Sequence, residues 1–333
     1  MRRDQLSSQS AWGHAARIVH IGALVVRIPL PPSMRYAAWV EDVHQKRAAP
    51  VLALAVSAIS AAAVLVRMAP DVHPVAVAFW RTGLVGAALA PALLIERPRL
   101  RGIDLILIVV AGGLLALHFW LWFASLQLTS VMRSTVLVCL TPVWAGLLQW
   151  LVMRAAPTGR FWAGVALALC GVAVMSRAGG VAGSLSGDGL AVVAGMLSAA
   201  YLTVGGAVRQ RISIGPYGAL VCLSCALWLL PVATVMLPAR DIVVPLYGYA
   251  TGSWMALLLM AIGPQLMGHI GLNYAVRYIP AAIVAATLLF EPVGATLLGM
   301  ICLSEIPTFV EICGGALILC GLAVVTIKRN KRR

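Results

Sequence analysis

Charge is what this sequence lacks. Only 11% of its 333 residues are charged, and just eleven are Asp or Glu. With 61% hydrophobic residues and a mean hydropathy of +0.95, the composition excludes a soluble globular domain. Also absent are H-E-x-x-H and G-x-S-x-G, the marks of common zinc and serine hydrolases. The Gly187-Asp188-Gly189 triplet has no second intramembrane aspartate to work with. No enzyme and no cofactor are expected. All seven cysteines, including the Cys222-x-x-Cys225 pair, fall in apolar runs, where they read as packing residues rather than disulfides or metal ligands.

What the chain has is long apolar runs. About twenty such residues span a bilayer core as a helix. Ten runs of roughly that length lie near 50–67, 74–95, 103–125, 130–152, 159–176, 189–208, 217–237, 252–275, 280–303 and 308–327. The net charge of +14 is explained by where the cations sit. With the N-terminus placed in the cytoplasm, 20 of the 25 Lys and Arg fall in inward segments and four in outward loops, with Arg81 alone inside a span. That asymmetry follows the positive-inside rule. Both termini are expected in the cytoplasm and the protein in the inner or plasma membrane, in contact with lipids and not with nucleic acid. Residues 1–49 read as a cytoplasmic tail, interfacial or disordered, in which Met34 is an alternative start, and 328–333 as a basic C-terminus.

The chain also repeats itself. Shifted by 150 residues, Pro142 falls on Pro292, Pro157-Thr158 on Pro307-Thr308, Gly164 on Gly314, and Leu169-Cys170-Gly171 on Leu319-Cys320-Gly321. Chance pairing of leucines does not align prolines and glycines as well. The fold expected is ten transmembrane helices as two inverted five-helix repeats, 50–177 and 189–327, joined by a Gly/Ser-rich linker at 178–188. Five is odd, so the second copy enters from the opposite side, as in secondary transporters built on alternating access.

Few residues remain to carry chemistry. Ten of the eleven carboxylates lie in the tail, in loops or at span ends; Glu311 forms with Thr308 the T-x-x-E of a helix-capping box. Glu291 alone is left near a span centre, where an ionised acid costs roughly 2.5–3.5 kcal/mol on insertion scales. It must be neutralised or paired, either as a proton acceptor and contact for a solute ammonium or as a structural hydrogen-bonding group. Pro292 beside it, and Pro142 in the first repeat, are expected to kink their helices. Arg81 either pairs with Glu291 or snorkels toward the nearer surface, the cheaper arrangement. His118 and His269 read first as satisfied core groups and second as site residues. Trp120, Gln265, Asn273 and Tyr274 complete a candidate binding wall for a small amphipathic solute, whereas Trp122 is assigned to the interfacial belt. No metal site is expected.

These stretches carry a resemblance. His118 to Ser130 (HFWLWFASLQLTS), Leu137 to Leu148, Asn273 to Gly299 with its Glu291-Pro292, and Gly314 to Val325 together resemble the EamA-type, ten-helix branch of the drug/metabolite transporter superfamily. Arg81 falls where that family tends to carry an F-x-R. The resemblance covers about 50–327 and implies a basket with a central cavity lined by helices one, three, four, six, eight and nine, with five and ten peripheral. It further implies export of amino acids, other metabolites or drugs, often driven by protons. The chain departs from the pattern at Ala155, opposite Glu305 in the repeat, and at Arg133, a large cation entering helix four.

The function expected is a secondary transporter, a proton-coupled exporter of a small-molecule substrate. The alternative is a non-transporting membrane scaffold or sensor. The oligomeric state is not fixed by the sequence, and a homodimer stays open.

Overall fold

The computed structural model describes residues 16–21, 24–29, 47–153, 157–175, 177, 184–209, 211–236, 248–275, 278 and 287–326. The alternative start Met34, the linker residues 178–183 and the basic C-terminus lie outside them. Within the tail, β1 (Ala16–Ile21) and β2 (Leu24–Pro29) pair antiparallel, Ile21 opposite Leu24. This two-stranded ribbon occupies part of the segment expected to be interfacial or disordered. Ile18, Val19, Ile21, Val25, Val26 and Ile28 are β-branched, which suits a pleated pair better than a helix.

The rest is helical. The helices are α1 (Arg47–Arg67), α2 (Pro74–Glu96), α3 (Gly102–Leu126), α4 (Val131–Val138) and α5 (Thr141–Met153). They continue as α6 (Gly159–Met175), α7 (Leu185–Arg209), α8 (Ile214–Met236), α9 (Thr251–Ala275), α10 (Glu291–Leu303) and α11 (Phe309–Thr326). Among the described residues, seven helices are long and apolar enough to cross a membrane, the α4–α5 pair counting as one to Leu148; three more are shorter. The chain is an all-α membrane protein.

Local chemistry sets the ends. His73 accepts from Val75 N–H ahead of Pro74 to start α2. Ser130 caps α4 through Arg133 N–H at 3.3 Å. The Thr308–Glu311 box is present: Glu311 accepts from Thr308 N–H at 2.8 Å and gives its own N–H to Thr308 Oγ1 at 3.2 Å. Helix α7 begins at Leu185, so 185–188 of the expected linker are helical.

Both repeat prolines break their helices. Pro142 follows a two-residue interruption between α4 and α5, and Pro292 follows a 3-10 turn, Leu288–Phe290, that opens α10. A proline donates no hydrogen bond and crowds the preceding turn, so each kink appears as a local change of helix type.

Glycines set the tightest packing. A Cβ added to Gly164 would lie 2.7 Å from the Gly321 carbonyl oxygen, and one on Gly171 would lie 2.6 Å from that of Gly314. Helices α6 and α11 therefore cross backbone to backbone. Exchanging each residue for its counterpart 150 positions away turns the Gly164–Gly321 contact into Gly314–Gly171. That is the pattern a two-fold relation between repeats generates.

One end of the helices carries a polar network. Arg133, fully buried, pairs with Asp188 and donates to the Met175 carbonyl at 2.6 Å, and Thr129 adds a bond to Asp188 at 3.2 Å. This staples α4, α6 and α7 together. Arg133 is thus a buried structural cation rather than a charge at a cavity mouth. Beside it, Arg67 meets Glu305 at 3.2 Å, and Glu305 also accepts from Val131 N–H at 3.0 Å.

Candidate functional site

The breaks at Pro142 and Pro292 lie beside a cavity of about 60 Å³. Its wall comes from Ile59 on α1, His118 and Trp122 on α3, and Val138, Cys139, Thr141 and Pro142 at the α4–α5 junction. Ser198, Tyr201 and Leu202 on α7, His269 and Leu272 on α9, and Leu288, Leu289 and Glu291 at the start of α10 close it. In order of apolar runs these are helices one, three, four, six, eight and nine, the set implied by the resemblance. Helices α6 and α11, runs five and ten, contribute nothing to that wall.

Glu291 is buried and borders the cavity. Its carboxylate has one close polar neighbour, the Cys139 thiol, with Sγ 3.9 Å from Oε2. Among the described residues no cation comes within 4 Å of it. His118 sits across the cavity with Nδ1 at 2.9 Å from the Ala194 carbonyl oxygen. A carbonyl only accepts, so Nδ1 carries the hydrogen and Nε2 is the lone-pair nitrogen of the neutral ring. The His118 ring stacks on Trp122 at 6.0 Å, and His269 meets Phe119 edge-on at 5.2 Å.

Four of the nominated side chains sit elsewhere. Gln265 is buried away from the wall, its Oε1 accepting from Arg81 Nε at 2.7 Å and its Nε2 donating to Cys222 Sγ at 3.4 Å. Asn273 stands behind the wall and donates to the Tyr201 hydroxyl at 3.1 Å and to the His269 carbonyl at 2.8 Å. It holds lining residues without lining. Tyr274 meets Tyr278 with tilted rings, 5.1 Å between centroids, and Trp120 is half-buried in the general core; neither lines the cavity.

Two assignments are overturned. Trp122, given to the interfacial belt, is 2% exposed and lines the cavity. The clue was spacing, because residues 118 and 122 share a helical face while Trp120 points more than a quarter turn away. Arg81 does not snorkel. It is 0% exposed, clamped by Gln265 and lying 4.1 Å over the Phe119 ring. No Arg81 nitrogen comes within 4 Å of Glu291, although the two charges are near enough to attract each other. The seven-residue distance from the span start suggested reach to the surface, but the packing of α3, α8 and α9 around α2 closes that route.

A second, larger cavity of about 390 Å³ opens among Arg67, Gln127 to Met132, Thr296, Gly299, Glu305 to Thr308 and Glu311. It shares α4 and α10 with the first. Between Glu291 and Thr296 the helix rises about 7.5 Å, so the two cavities lie along one seam, where Val131 touches the Gly299 position at 3.7 Å.

Comparison with known proteins agrees with this architecture. The EamA-like transporter family matches residues 47–177 and 185–327. Among curated proteins the chain is similar to a "Probable terminal-alkyne amino-acid exporter" of Streptantibioticus cattleyicolor, 26% identical over 74% of this chain and 81% of that one. It is also similar to the transporter YwfM of Bacillus subtilis, 26% identical over 80% and 89%. A solved crystal structure superposes with a TM-score of 0.60 at 19% identity, over 84% of this chain and 96% of the other, which shows the shared fold.

Proposed function

We propose how a chain that belongs to the EamA-like transporter family, and so is a membrane transporter, performs its work: as a proton-coupled exporter of small metabolites such as amino acids, by alternating access. The cargo is moved across the plasma membrane, with both termini on the cytoplasmic side. The observation that carries this reading is Glu291. It is a buried carboxylate at a helix break, bordering a cavity, with no cation within 4 Å among the described residues. A charge so placed must be neutralised by a proton or by a cationic group of the cargo. A group that takes either in turn couples the two. Direction is supported by the relative whose printed name is that of an amino-acid exporter.

Volume supports the cycle. Solute pockets run from about 300 Å³ upward, and the cavity at Glu291 holds about 60 Å³, room for a water or two. This conformation is closed around its site. The larger cavity at the Arg67 end, about 390 Å³, is of solute size and becomes the exit vestibule once the Val131–Gly299 seam parts.

The test uses purified protein in liposomes loaded with a metabolite extract, under an imposed proton gradient, with mass spectrometry of what leaves. Wild type is expected to release a defined set of solutes and Glu291→Gln to release none while remaining folded. Equal release by both would return Glu291 to packing. No release in either gradient direction would favour a scaffold or sensor.

A further inference from the structure

Two arginines are completely buried in the helical body, and they are treated differently. Arg133 has Asp188, the Met175 carbonyl and the rest of its network. Arg81 has a single hydrogen bond, from Nε to Gln265, and its terminal nitrogens Nη1 and Nη2 have no partner. No carboxylate lies within 4 Å of Arg81 among the described residues. The side chain is nevertheless held firmly. Gln265 fixes the Nε edge and is itself tied to Cys222, and the guanidinium plane lies against Phe119 at 4.1 Å and toward Phe123 at 5.6 Å.

A guanidinium does not shed its charge. A buried, unpaired cation is expensive, and a chain that wanted only packing there would be served better by an apolar residue. What remains free is the paired Nη1/Nη2 edge, two parallel N–H donors at the spacing of the two oxygens of a carboxylate. The aromatic neighbour gives the route. Phe119 touches Arg81 on one side and also contacts His118, at 4.9 Å between ring centroids, and His269, at 5.2 Å. Both histidines line the cavity beside Glu291. Phe119 lies on the guanidinium face, so one phenyl ring links the arginine to the cavity wall and leaves the in-plane donor edge uncovered.

We propose that Arg81 is the receptor for a carboxylate on the transported solute, held ready by Gln265 and reached from the cavity when the wall carrying Phe119 moves as it opens. This rests on the transporter reading above and narrows its cargo to small molecules bearing a carboxylate. With Glu291 on the same cavity taking a cationic group, the fit is to a zwitterion. Arg81 would touch the solute; Gln265 and Phe119 are positioning residues.

The experiment measures binding to the full-length protein in detergent and efflux from liposomes. The probes are a panel of free amino acids from glycine to tryptophan and, for each that binds, its amide and its decarboxylated amine. Wild type is expected to bind at least one amino acid ten-fold or more tightly than its amide or amine. Arg81→Lys keeps the charge but loses the two-donor edge, and is expected to weaken amino-acid binding by ten- to a hundred-fold while leaving the weak binding of the amine unchanged. Arg81→Met removes an unpaired buried charge, so its melting temperature should equal or exceed that of wild type although amino-acid binding is gone. A lower melting temperature for Arg81→Met together with undiminished amino-acid binding by Arg81→Lys would overturn the proposal in favour of a structural arginine. Equal affinity for acid, amide and amine, or no binding across the panel, would overturn it as well. Release of carboxylate-free solutes alone would overturn it while leaving transport standing. Discriminating binding without efflux would support the Arg81 site and count against the transporter reading.

Discussion

Replacing Arg133 with methionine removes the hub that joins α4, α6 and α7. The substitution deletes the contacts from Nε and Nη2 to Asp188 and from Nη1 to the Met175 carbonyl. Asp188 is then left nearly buried beside the Thr129 hydroxyl, which donates to it at 3.2 Å. Breaking a buried pair from one side costs about 3–5 kcal/mol, mostly from the stranded charge. At roughly 2 °C per kcal/mol for a chain of this size or larger, the melting temperature falls by about 6–10 °C. Asp188→Asn strands the other charge and should cost a similar amount. The double variant Arg133→Met/Asp188→Leu strands neither, and is expected within about 1 kcal/mol of wild type. The assay is loss of the monodisperse size-exclusion peak after heating in detergent, at one fixed heating rate because such unfolding is commonly irreversible. A double variant as unstable as the sum of the singles would refute the reasoning, as would a shift of less than about 2 °C for Arg133→Met alone.

The glycine crossing makes a second prediction. Gly171→Val drives side-chain atoms into the Gly314 carbonyl and should cost about 1–3 kcal/mol or more by overpacking, whereas Gly189→Ala, with nothing within 4 Å, should leave the same melting assay unmoved. Asp71, in the α1–α2 loop, supplies a pH dependence. Burial pushes its carboxyl upward, but hydrogen bonds from Ser253, from Ala250 N–H and from its own backbone outweigh that and hold it below the usual carboxylate value. A depressed folded value means that the stabilisation is complete above the unfolded value of about 4 and is lost as pH falls through the folded one. The melting difference between wild type and Asp71→Asn should therefore be constant from pH 8 to 5 and close below about pH 4; a difference that closes between pH 7 and 5 would contradict the assignment.

That the chain is helical and membrane-spanning, and where some of its helices begin or break, was legible because it depends on local properties: hydropathy over twenty residues, the Thr308–Glu311 box, and prolines that break a helix wherever they stand. So was Glu291, because a carboxylate in an apolar run is conspicuous without any partner. Rotation was not legible. In a membrane the lipid-facing side of a helix is as apolar as the packed side, so the pattern that orients a soluble helix is nearly absent. That is why Trp120 was placed on the cavity and Trp122 off it, and why Arg81 was sent to the surface. Pairings across distance were equally hidden: nothing local in Arg133 points to Asp188, 55 residues away, or connects Arg81 to Gln265. The β-branched residues of 18–28 were present but were read by their average hydropathy rather than by strand propensity.

The α6–α11 crossing has one more implication. Carbonyls of one helix meet glycine Cα atoms of the other there, and Val325, Ile318, Met175 and Ala168 pack against the same glycines, so neither helix has room to move closer. The joint has little compliance in any direction, and its two contact points, seven residues apart on each helix, resist pivoting as well as separation. Strain arriving from the cavity side is transmitted through such a joint rather than absorbed. In the alternating access proposed above, the pair would serve as a keel: reference ground against which the proline-broken segments of the cavity wall are displaced.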